Sequence, residues 1–140
     1  MENNFANTLN GATLAYLGDA VLEVLVRRYL VSLGFSDGGK LSRLALNFVK
    51  ATAQSAGVSR LEGHLTEEEE YVYKRGRNAG GISIPRSASA AEYRRATGME
   101  ALFGYLDLKG RADRIAELFD IAYSDVMAEI KHKTELGEKI

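Results

Sequence analysis

Apolar residues recur along this chain at three- and four-residue spacing, the period of helices with one buried face. Leu14, Leu17, Val21, Val24 and Leu25 predict one long helix over residues 9–33, with Gly34 as its stop. So much of its circumference is apolar that it is expected to run through the centre of the fold. Asp19, Glu23 and Arg27 interrupt it on one row, four residues apart. A turn at Ser36-Asp37-Gly38-Gly39 leads to helices over residues 40–50 and 52–61, the latter closing at Gly63. Thr66 with Glu69, and Ser89 with Glu92, read as capping boxes that open two further helices. The first starts in acids, Glu67 to Glu70, and ends in Lys74 and Arg75, which suits the helix dipole at both poles. Residues 76–88, with three glycines and the only proline, predict a loop. The helix from Ser89 runs to about Lys109, and Gly110 breaks it. A last helix to about Glu129 presents Ile115, Leu118, Phe119, Ala122 and Val126 to the core. The expected fold is all-α: about six helices in one domain over residues 1–130, then a polar tail, 131–140, that frays.

Composition narrows the chemistry. With 140 residues the chain suits one domain with a real core. It has no cysteine, which excludes disulfides, thiolate metal sites and cysteine nucleophiles. Two histidines are too few for a His-rich metal cluster. The N-terminus lacks the features of a secretory signal. The apolar stretch 12–33 carries Asp19, Glu23, Arg27 and Arg28, so it is not a membrane span, and a cytoplasmic location is expected.

Two helix interiors combine a carboxylate with a nearby glycine: Gly18-Asp19 in the first long helix, Glu100 and Gly104 in the later one. Glycine inside a helix costs about 1 kcal/mol against alanine, and close helix approach is the usual compensation. Two such helices packed together would set Asp19 beside Glu100, a pair that repels unless a proton or cation lies between. A hard cation such as Mg²⁺ suits an all-oxygen site with few protein ligands. The other arrangement pairs each acid with an arginine, from Arg27, Arg28, Arg94 or Arg95.

Charge is also uneven. Residues 71–99 hold six basic residues against one acid, a local +5 in a chain of net −1. That is an electrostatic footprint for phosphates around a breaker-rich loop, and Lys74, Arg75, Arg77, Asn78 and Arg86 are its candidate contacts. A solvated loop balanced by Glu67 to Glu70 is the plainer explanation. Glu67 and Glu70 also match an E-x-x-E metal pattern, although a capped helix start accounts for them.

The stretch LAYLGDAVLEVLVRRYL (residues 14–30) resembles the signature helix of the ribonuclease III catalytic domain. YRRATGMEALFGYL (93–106) resembles that family's second carboxylate helix, and EEEEYVYKRGRNA (67–79) resembles its small branch, Mini-ribonuclease III. The resemblance implies an α-helical homodimer that cuts double-stranded RNA with Mg²⁺. It implies Asp19 and Glu100 as metal-binding catalytic acids, 5′-phosphate and 3′-hydroxyl ends, and maturation of 23S ribosomal RNA precursor. A ribosomal protein on that substrate is a further candidate partner. The larger enzymes offer four acids per site, and the other two positions correspond here to Ala15 and Thr97. The small branch resembles this chain in having two. Glu23, one turn beyond Asp19, is a candidate to orient water at the metal, or else to pair with Arg27. The chain is too short to add a double-stranded-RNA-binding domain, so the basic segment is expected to grip RNA. A catalytically silent dimeric RNA-binding module is the main alternative. A helical nucleotide pyrophosphohydrolase using Glu67 and Glu70 is a remoter one.

Overall fold

The computed structural model describes residues 4–80 and 89–135. Eight helices are found among them, and no strand: α1 (Phe5–Thr8), α2 (Gly11–Ser32), α3 (Gly38–Val49), α4 (Ala51–Leu61), α5 (Glu67–Arg77), α6 (Ala90–Leu108), α7 (Ala112–Ala122) and α8 (Ser124–Glu135). None of the described helices is long and apolar enough to cross a membrane.

The central helix is α6, not α2. From Ala96 to Leu106 every residue of α6 except Glu100 is buried. It packs against α2, α4, α5 and α7. A helix covered on all sides has no polar face to display, which is why its sequence shows no amphipathic period. By contrast α2 buries a single stripe, Gly11, Leu14, Ala15, Gly18, Leu22, Val26 and Leu30, and leaves Tyr16, Val24 and Val31 exposed. Its apolar circumference is therefore only partly used within this chain.

Local signals explain several helix ends. Asn10 caps α2 by accepting from the Thr13 N–H at 2.8 Å, and Asp37 caps α3 through Gly39. At Thr66 both bonds of the capping box form: Glu69 N–H to Thr66 Oγ1 at 3.2 Å, and Thr66 N–H to Glu69 Oε1 at 2.9 Å. At Ser89 only half of the box is built. The Glu92 N–H reaches Ser89 Oγ at 3.1 Å, but the Glu92 carboxylate accepts from the Ser89 hydroxyl instead of the backbone. Gly34 and Gly110 take the positive φ of helix stops, 93° and 71°.

Three expectations need correction. Gly76 is not in the loop: α5 continues through it to Arg77, and it is buried. A Cβ there would meet the Ala101 side chain and, at 3.0 Å, the Gly98 Cα, so glycine lets α5 lie directly on α6. The last helix is two helices, parted at Tyr123. Its second part extends to Glu135, well into the segment expected to fray. Arg86 lies outside the described residues.

The acidic start of α5 is tied down by arginines. Glu69, 2% exposed, accepts from Arg114 Nε and Nη2, both at 2.8 Å. Glu68 accepts from Arg111 at 2.7 Å and from the Tyr105 hydroxyl at 2.5 Å. Burial pushes the Glu69 carboxyl up, but the bonds from Arg114 and from the Thr66 N–H outweigh it and hold it below its ordinary 4.5. Glu68 is held below 4.5 by its bonds from Arg111 and Tyr105. A depressed folded-state pKa contributes stability that is present above the unfolded value and is lost as pH falls through the folded one. Tm is therefore expected to fall as pH drops below 4.5. Glu69→Gln should lose about 1–3 kcal/mol at neutral pH and show a shallower acid limb, measured by thermal unfolding across a pH series.

Candidate active site

Helices α2 and α6 cross at Gly18 and Gly104. A Cβ on Gly18 would fall on the Glu100 carbonyl oxygen, and one on Gly104 on the Leu14 carbonyl oxygen. With hydrogens at both positions the backbones touch. This contact carries Asp19, one residue on from Gly18, to the side chain of Glu100. The two acids are neighbours across the crossing, and neither forms an ion pair with Arg27, Arg28, Arg94 or Arg95. Arg27 instead pairs with Glu23 at 3.3 Å, and Arg95 with Glu62 at 3.6 Å and the hydroxyls of Ser55 and Ser59.

Burial pushes the Glu100 carboxyl up to about 8; contact with Asp19 adds to the shift, and a hydrogen bond from the Gln54 amide opposes it. Two carboxylates so placed call for a cation between them. They border a cavity of about 610 Å³ whose wall also includes Lys50, Thr52, Gln54, Tyr93, Ala15 and Thr97. The last two are the positions that the resemblance matches to further acids of the larger enzymes. Here Ala15 has no polar side chain, and Thr97 turns its hydroxyl to the Tyr93 carbonyl at 3.0 Å. Among the described residues no three Asp, Glu or His side chains converge. The donor set is two carboxylates, all oxygen, with space for water or a substrate oxygen. That fits a hard cation such as Mg²⁺ and not a full protein cage.

Glu23 lies away from this cavity; its carboxylate serves Arg27. The E-x-x-E acids are also apart, since Glu70 pairs with Lys74 at 3.2 Å within a capped helix start. Of the candidate phosphate contacts, Lys74, Arg77 and Asn78 meet in a second cleft, about 790 Å³, together with Arg94 and Arg95. The guanidinium of Arg77 lies over the Tyr73 ring, 5.7 Å from its centroid. Arg75 is drawn away: it donates to the Leu9 carbonyl and lies over Tyr71, joining α5 to the start of α2.

Gln54 and Lys50 were not singled out by the sequence. Gln54 is 4% exposed in a helix otherwise rich in Ala, Ser and Gly. A lone long amide among small residues is the only sequence signal it offers.

The family model described as Ribonuclease III domain matches residues 12–111, a span that contains both acids and the crossing. Mini-ribonuclease 3 of Symbiobacterium thermophilum is 50% identical over 115 residues, covering 82% of this chain and 88% of that protein. Mini-ribonuclease 3 of Enterococcus faecalis is 47% identical over 114 residues, covering 80% and 86%. A crystal structure of a Fusobacterium nucleatum protein is similar in fold, with a TM-score of 0.75 at 30% identity, covering 84% of this chain and 93% of that one.

Proposed function

The chain belongs to the ribonuclease III domain family of endoribonucleases, and from that premise we propose that it cleaves double-stranded RNA with Mg²⁺ held by Asp19 and Glu100. The observation that carries this reading is the pair of adjacent carboxylates, paired with no arginine among the described residues, on a cavity of about 610 Å³. The substrate is 23S ribosomal RNA precursor, cut to 5′-phosphate and 3′-hydroxyl ends in the cytoplasm. Asp19 and Glu100 would hold Mg²⁺, which when bound would supply positive charge to the scissile phosphate and lower the pKa of the attacking water. The chain's own residues do the rest. Asp19 reaches in from α2 and Glu100 from α6, held in register by the glycine crossing. The buried Gln54 amide borders the same cavity and favours the charged form of Glu100. Lys74, Arg77 and Asn78 grip the backbone of the duplex, which suits RNA because its deep, narrow major groove hides the base edges. Arg86 belongs to the same proposed grip.

A homodimer completes the reading, since a two-fold axis aligns two sites with two antiparallel strands. The exposed row on α2, Tyr16, Ala20, Val24 and Val31, supports this as apolar surface in need of a cover.

The test is incubation of the protein with a labelled RNA duplex in Mg²⁺ and in EDTA. Cleavage only in Mg²⁺ supports the nuclease. Tight binding without cleavage favours the silent RNA-binding module, with Ala15 and Thr97 as the cause. Arg77→Ala is expected to weaken duplex binding at moderate salt and to lower the salt slope by about one, with the fold intact. Titrations at several salt concentrations measure both, and unchanged affinity removes Arg77 from the grip.

A further inference from the structure

The wall of the Asp19–Glu100 cavity carries one cation among the described residues, Lys50. Lys50 is the joint between two helices, the C-cap of α3 and the N-cap of α4, in extended conformation with φ −67° and ψ 150°. This turn brings it to the wall of the cavity that Asp19 and Glu100 border. Among the described residues it forms no ion pair. Glu129 borders a smaller cleft together with Lys50 but is paired with Lys133 at 3.1 Å. The dipole of α4 adds partial positive charge at the same end.

Charge counting gives this lysine a task. Two carboxylates offset one divalent cation and leave nothing over for the phosphodiester, which brings a further negative charge. Sites with two metals clamp both the attacking and the leaving oxygens. A site with two protein acids holds one metal well, so positive charge toward the far side of the phosphate must come from elsewhere. Lys50 is the side chain present to supply it, as a compact ammonium with three donors.

We propose that Lys50 is a catalytic residue of this chain, donating an N–H to a non-bridging oxygen of the scissile phosphate. The proposal rests on the RNA-hydrolase reading above. In the step it serves, the water oxygen bonds to phosphorus and the P–O3′ bond breaks. The proton released by water passes to solvent, and O3′ takes one up. Lys50 keeps its own proton, and its hydrogen bond strengthens as charge grows on the phosphoryl oxygens.

The experiment compares the full chain with Lys50→Met, which keeps the stem and removes the charge, and with Lys50→Arg. Single-turnover cleavage of a labelled RNA duplex is measured in Mg²⁺, and duplex Kd in EDTA. Lys50→Met should cut about 100-fold more slowly, as expected for loss of one preorganised donor to the transition state. Its Kd should rise by no more than about fivefold, the range of one exposed charge contact. Lys50→Arg should recover most of the rate. Cleavage by Lys50→Met within about threefold of the parent overturns the proposal. So does a Kd that rises in step with the rate loss, which makes Lys50 an ordinary backbone contact. A parent that binds duplex but does not cut it in Mg²⁺ overturns the nuclease reading itself, and this proposal with it. Lys50 is exposed at a helix junction, so helical content by circular dichroism should match the parent in both variants.

Discussion

Glu100→Gln is expected to abolish cleavage of duplex RNA while leaving the protein as stable as before, or more so. The amide has the shape of the carboxylate and can still bond to Gln54, but it cannot anchor a cation with its charge. Removing one of two protein ligands should cost at least about 4 kcal/mol of transition-state stabilisation, roughly 10³-fold in rate. Stability should move the other way. In the parent, without metal, Glu100 is partly buried against a second carboxylate, and its burial and the contact with Asp19 both oppose its charge. A neutral isostere relieves both penalties. Thermal unfolding in EDTA should therefore give a Tm equal to or above the parent's. Asp19→Asn should likewise abolish cleavage and leave the proposed homodimer intact, assessed by light scattering. A merely structural acid would give the opposite signature, lower stability with activity lost only in proportion. Substantial cleavage by either variant would mean that the cation is held by other groups.

This site was legible because it breaks local rules. A carboxylate and a glycine inside an apolar helix are each unfavourable alone, and Asp19 with Gly18 and Glu100 with Gly104 share one explanation in a close crossing. Caps were legible for the same local reason: Thr66, Ser89, Gly34 and Gly110 act through bonds and dihedrals within a few residues. What stayed hidden depends on neighbours distant in sequence. Gly76 reads as a helix breaker, yet α6 covers it, and the gain from packing outweighs its propensity. Lys50 and Gln54 border the cavity of the acids only because α4 packs against α6. Arg75 was counted with the phosphate contacts since a charge tally cannot tell a free guanidinium from one bonded to a backbone carbonyl, here that of Leu9. The long helix α2 was expected to be central because its circumference is so apolar, yet periodicity cannot tell which apolar positions the chain itself buries, and Val24 is exposed.

The other large effect concerns the crossing. Gly18→Ala is expected to destabilise the fold by more than any surface change, by at least about 3 kcal/mol, and to lose cleavage in the fraction that remains folded. The added methyl meets the Glu100 carbonyl oxygen and carbon, which are helix backbone and cannot swing aside as a side chain can. Both helices would have to move apart. Leu14, Leu22, Met99, Leu102 and Phe103, all fully or almost fully buried, belong to the core those helices share. Separating the helices opens voids among them that the core does not refill. Alanine is the better helix former by about 1 kcal/mol, so propensity alone predicts stabilisation. The sign of the change is thus a clean test of whether close approach is what the glycine is for. Gly38→Ala supplies the comparison. It lies at the first turn of α3, where nothing stands within 4 Å of an added Cβ, and its effect should be small. Urea unfolding of the two variants against the parent measures both. A Gly18→Ala variant as stable as the parent would mean that α2 and α6 do not touch there. Asp19 and Glu100 would then have no shared frame on which to hold a cation.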